Sequence, residues 1–114
     1  MPREITILSR TPHDLHAIAD AAEGIGGAES VRQIDGGAGV QVVDAGGRDL
    51  LTLYTPRLLR TAGEVERLLP TAAHVELPTY WCDAYAPIDG LGEAGVSIAL
   101  RLALALAAVC VVED

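Results

Sequence analysis

Leu15, Ile18, Ala19 and Ala22 recur at the i, i+3, i+4, i+7 spacing that puts apolar residues on one side of a helix. The surrounding stretch TPHDLHAIADAAEG opens with helix-start residues: Thr11 as cap, Pro12 at the first helical position and Asp14 in the first turn. Gly24, Gly26 and Gly27 end it. Before this helix, EITIL (4–8) reads as a strand. After it, SVRQID (30–35), GVQVVD (39–44) and RDLLTLYT (48–55) read as three antiparallel strands joined by glycine-bearing turns. Residues 55–60 fit either a helix start or an extended segment. The capping-box spacing from Thr61 to Glu64, followed by Val65, Leu68 and Leu69 and stopped by Pro70, predicts a second helix over 62–69. A strand within 74–86, a loop over 87–93, a helix over 94–107 and a strand over 108–112 complete the chain. The order β-α-β-β-β-α-β-α-β predicts a single α+β domain spanning 1–114. It is a two-layer sandwich, a mainly antiparallel sheet with helices on one face and its other face left for solvent or a partner.

One segment competes with this reading. GVSIALRLALALAAVCVV (95–112) is long and apolar enough to resemble a membrane span, but Arg101 lies within it, where a mid-membrane charge costs roughly 2.5–3.5 kcal/mol. Val109, Val111 and Val112 are β-branched, which favours a core helix handing over to a buried strand.

Charge narrows the partners. The chain carries 16 acidic and 8 basic residues, for a formal net charge of −8, and all the basic ones are Arg. Such a surface repels phosphate, so neither nucleic acid nor an anionic membrane is expected as a partner, whereas a basic protein is attracted. The start MPREITILSR lacks the apolar stretch of a signal peptide, and two cysteines make no disulfide framework, so a cytoplasmic location is expected.

Catalytic patterns are weak. Without Lys there is no Walker A loop, and GIGG follows a helix rather than opening one. His13 and His16 are three apart, with Asp20 beyond them, but a metal centre needs a further ligand and none is in place. Cys82 and Cys110 fall in predicted strands, where a thiol is usually a small core residue. Ser9, Ser30 and Ser97 have no base or acid motif around them. No catalytic residue, metal or cofactor is expected.

The stretch PTYWCDAYAP (78–87) holds the only Trp and two of the three Tyr of a chain without Phe. If extended, it puts Tyr80, Cys82 and Ala84 on one face and Trp81, Asp83 and Tyr85 on the other. Three readings compete for the second set. Its rings fill a core while Asp83 makes a local bond; or rings and carboxylate form a partner-binding strip; or Asp83 serves as an acid or base in a cleft.

The element order, the YWCDAYAP strand and the closing GVSIALRLALALAAVCVVED unit resemble small acidic immunity proteins of actinobacterial polymorphic toxin systems. The likeness lies mainly in 74–114 and more loosely in LLTLYTPRLLRTAGEVERLLP. It implies a non-catalytic antitoxin that occludes the active site of a cognate toxin, often with an acidic surface. On this reading Trp81, Asp83 and Tyr85 are the expected partner contacts, with Asp35, Asp44 and Asp49 around the hairpins as electrostatic guides. The alternative is a small-molecule-binding or enzymatic domain with a pocket near Tyr80, Cys82 and His74. A homo-oligomer that buries the open sheet face against itself is a third.

Overall fold

The computed structural model describes residues 3–60 and 78–113; the helix expected over 62–69 and the residue His74 lie outside them. In chain order the elements are β1 (Arg3–Ser9), α1 (Leu15–Ala22), β2 (Ser30–Ile34), a 3₁₀ turn (Asp35–Gly37), β3 (Gly39–Val43), β4 (Asp49–Tyr54), β5 (Arg57–Leu59), β6 (Thr79–Ala86), α2 (Gly90–Ala105) and β7 (Val109–Glu113). The strands form a 7-stranded sheet in the order β2-β3-β4-β6-β1-β7, and every pairing is antiparallel. β5 pairs with β6 beyond the end of β4, so the open question at 55–60 is resolved as an extended segment. The chain breaks at Thr55-Pro56, where Thr55 donates its backbone N–H to the Ala38 carbonyl.

Both helices cover one face, as expected of a two-layer α+β sandwich. The core joins Ile5 and Ile7 of β1, Leu51 and Leu53 of β4, and Cys82, Ala84 and Ala86 of β6 to Ile98, Ala99, Leu102 and Ala103 of α2 and Ile18 of α1. Small residues on β6 let α2 settle close to the sheet. A Cβ at Gly95 would lie 1.9 Å from the Leu50 carbonyl oxygen and 3.1 Å from the Ala86 Cβ, so packing alone demands glycine there.

Two details of α1 differ from expectation. Its cap is Asp14, whose Oδ1 accepts the Ala17 N–H at 2.8 Å, so Thr11 and Pro12 precede the helix instead of starting it. Aspartate is among the strongest N-caps, and a helix begins where the better cap sits. The buried stripe is Ile18, Ala21 and Ala22, while Leu15 and Ala19 are exposed, because the helix is rotated to bring Ala21 against the core.

The apolar segment over 95–112 divides as expected into helix and strand. No helix among the described residues is long and apolar enough to cross a membrane. The α2 terminus closes by a Schellman motif: Ala107 N–H donates to the Leu104 carbonyl and Ala108 N–H to the Ala103 carbonyl. Ala107 takes the left-handed conformation (φ 51°) that this motif usually gives to glycine.

Candidate functional site

The alternation expected along β6 is present. Cys82 and Ala84 enter the core under the helices, and Trp81, Asp83 and Tyr85 lie on the outer face. Cross-strand register then sets one row of outer-face residues side by side across the sheet: Arg32, Gln41, Thr52, Tyr85, Glu4 and Glu113. At the β2 end the row is a hydrogen-bonded ladder. Arg32 donates through Nε and Nη2 to the Gln41 side-chain oxygen at 3.0 and 2.9 Å, and the Gln41 amide donates to the Thr52 hydroxyl at 3.2 Å. At the β7 end it is acidic, with Glu4 directly opposite Glu113. Like charges facing each other across strands are destabilising.

Glu4, Thr6, Trp81, Asp83, Tyr85 and Glu113 line a shallow depression of about 210 Å³ in this face. The Tyr54 ring meets that of Tyr85 edge-on, with centroids 6.1 Å apart and planes at 76°. Burial, then the Asp83 and Glu4 carboxylates and Tyr54, raises the Tyr85 phenol above its ordinary pKa, so it stays a neutral donor at physiological pH.

Trp81 shares this face but is not exposed on it. Its side of the sheet holds a second buried patch, with Leu8 (2% exposed), Leu59 (6%), Thr79 (1%) and Trp81 (5%). The indole N–H donates to Asp83 Oδ1 at 2.8 Å, and Arg57 Nη2 lies 3.6 Å from Asp83 Oδ2. The expectation of an outward indole is therefore corrected: Trp81 packs, and its role at the surface is to hold the Asp83 carboxylate in place. Asp83 remains 42% exposed and Arg57 59%, so this ion pair is open to water and exchangeable.

The three guide residues are separated by the hairpin geometry. Asp35 lies in the β2–β3 turn with φ 51°, and Asp49 is exposed at the start of β4 near the opposite turn. Asp44 is engaged in that second turn. Its Oδ1 accepts the Gly46 and Arg48 N–H groups, both at 2.9 Å, and these bonds together with the Arg48 guanidinium hold the carboxyl below its usual range. Glu4, Thr6, Tyr54 and Glu113 were not singled out from the sequence, although Glu4 and Thr6 alternate with Ile5 and Ile7 in EITIL. What was not legible was that β1 lies between β6 and β7.

On the opposite face Cys82 meets His13, while His74, the histidine expected near it, lies outside the described residues. His13, in the approach to α1, places Nε2 4.0 Å from the Cys82 sulfur, and the thiol donates to the Tyr54 carbonyl at 3.3 Å. Burial, reinforced by the Asp83 charge, pushes the thiol up to about 12, so it is protonated and a poor nucleophile at neutral pH. His13 Nδ1 is buried with no hydrogen-bond partner among the described residues, and burial lowers the imidazole below its ordinary pKa against the opposing pull of Asp14. His16 instead points to solvent, 3.5 Å from Asp20, so the two histidines do not converge. Cys110 and Cys82 flank Ile7 from opposite sides, one strand apart on each, a spacing of roughly 10 Å that no disulfide bridges.

Among the described residues no group of three or more His, Cys, Asp or Glu is placed to hold a metal ion. Comparison of the chain with protein-family models, with curated proteins and with solved structures finds no match.

Proposed function

We propose that this chain is a non-catalytic binding protein, an immunity protein or antitoxin, that covers the active site of a basic partner with the outer face of its sheet. The observation that carries this reading is the acidic end of that face. Glu4, Asp83 and Glu113 surround one depression beside two tyrosines, in a register that sets two carboxylates directly opposite each other at a cost in stability. Tyrosines supply contact area at small entropic cost, and carboxylates receive guanidinium groups through charge-assisted bonds. Arg57 already rests against Asp83 in this manner, and a partner arginine has the chemistry to replace it.

The test uses the protein encoded by the adjacent reading frame as the binding partner, with affinity measured by calorimetry and protection measured by co-expression. Tyr85→Ala combined with Asp83→Asn is expected to weaken binding by at least about tenfold, and binding by the wild type is expected to weaken as salt rises. A folded double variant that binds and protects as well as the wild type would show that this face is not the contact surface.

A further inference from the structure

A cavity of about 520 Å³ opens between α1 and the start of β2, on the helix side of the sheet and at the edge farthest from β7. It has more than twice the volume of the outer-face depression, at about 210 Å³, and falls within the roughly 300–1,000 Å³ of small-molecule sites. Every residue that lines it lies among those described.

The floor of this cavity is apolar, formed by Ala19 and Ala22 of α1, Val31 of β2 and Val42 of β3. Its rims are acidic. Asp20 and Glu23 stand on the helix side, in α1 and at its C-cap, and Glu29 stands on the strand side, one residue before β2. No Arg lines the cavity. Arg32 turns to Gln41 on the outer face, and Arg101 donates to the Glu23 carbonyl at 2.7 Å rather than to its carboxylate. Among the described residues neither the Glu23 nor the Glu29 carboxylate has an ion-pair partner, and Asp20 meets only His16, 3.5 Å away and exposed. The last turn of α1 carries no basic residue, so the negative end of the helix dipole adds to the same field.

We infer that this cavity binds a linear di- or polyamine, its methylenes lying across the floor and its ammonium groups meeting the carboxylates of the two rims. Lysine stems cover apolar surface in the same way while their charged heads stay in water. The layout selects this class. A bare metal ion needs carboxylates that converge, and no group of three among the described residues does so. A phosphate-bearing ligand is repelled. A chain with cations at both ends spans the apolar strip between the rims and makes a charge-assisted bond on each, where a short monoamine makes one. The cavity lies across the sheet from the depression of Glu4, Asp83 and Glu113, so an amine bound there leaves the outer face free for a basic partner.

The probe is spermidine, titrated into the purified chain by calorimetry at low salt. One equivalent is expected to bind, and 1-butylamine at least about tenfold more weakly. Two variants test the two halves of the site. Glu23→Gln with Glu29→Gln removes charge from both rims, and Ala19→Leu keeps every charge and a good helix former but fills the floor. Each is expected to weaken spermidine binding by at least about tenfold with the circular dichroism spectrum unchanged. Asp35→Asn with Glu93→Gln removes the same charge from exposed positions outside the cavity, and is expected to change the affinity by less than about twofold. Equal weakening by that remote pair would reduce the binding to diffuse attraction by an acidic surface and overturn the proposal. So would a wild type that takes up no spermidine, even if the cavity variants weakened binding to a basic protein partner.

Discussion

His13 shows how one side chain ties the fold to pH. Its imidazole is partly buried between Asp14 and Cys82, and that burial makes the charged form costly against the opposing pull of Asp14. The folded pKa therefore lies below the unfolded value of about 6.5. Above that value histidine is neutral in both states and contributes no pH dependence. As pH falls below it, the unfolded chain takes up a proton that the folded chain resists, so stability decreases until the folded pKa is passed. Denaturant midpoints of the wild type and His13→Gln, compared from pH 7.5 downward, are expected to converge or cross as the wild type loses this advantage; parallel curves would remove His13 from the account. The sequence placed His13 near a helix start but offered no way to see that it meets Cys82, because the two are 69 positions apart.

At the scale of elements, most of the architecture was legible. The three strands over 30–54, the β6 alternation and the division of the last apolar segment into α2 and β7 all follow from local spacing and turn residues. The α1 start was misplaced because several residues there can cap a helix and only the backbone path selects one. The end of α2 offers a direct measurement. Ala107 sits at φ 51°, where an L-residue is strained by about 1–2 kcal/mol and glycine is not. Part of that gain is offset by the greater freedom of glycine in the unfolded chain. Ala107→Gly is expected to stabilise the protein by about 1 kcal/mol in chemical denaturation, with the slope against denaturant unchanged.

At the scale of the whole molecule, the sheet order decides which surfaces exist. β1, near the start of the chain, lies between β6 and β7, and this brings Glu4 opposite Glu113 and beside Tyr85. Carboxylates facing each other across strands repel, and on the proposed reading this end of the face meets the partner. Glu113→Gln relieves the repulsion. It is expected to raise the unfolding midpoint slightly, by less than about 1 kcal/mol in stability, while weakening association with the basic partner. Loss of stability together with unchanged affinity would show that Glu113 serves the fold instead. Association with a basic partner is expected to weaken as salt rises.

By itself the sequence determined the α+β class, the hairpin run over 30–54, the sided character of β6 and the acidity of the surface. These depend on periodicity, turn chemistry and net charge, all of which act over a few residues or over none in particular. Tertiary structure alone decided that Trp81 is sealed while Asp83 stays open, that His13 reaches Cys82, and that Glu4, Asp83 and Glu113 share one depression. Each of these is a contact between strands or segments distant along the chain. Such contacts follow from strand order and register, which the pattern within any one strand does not encode.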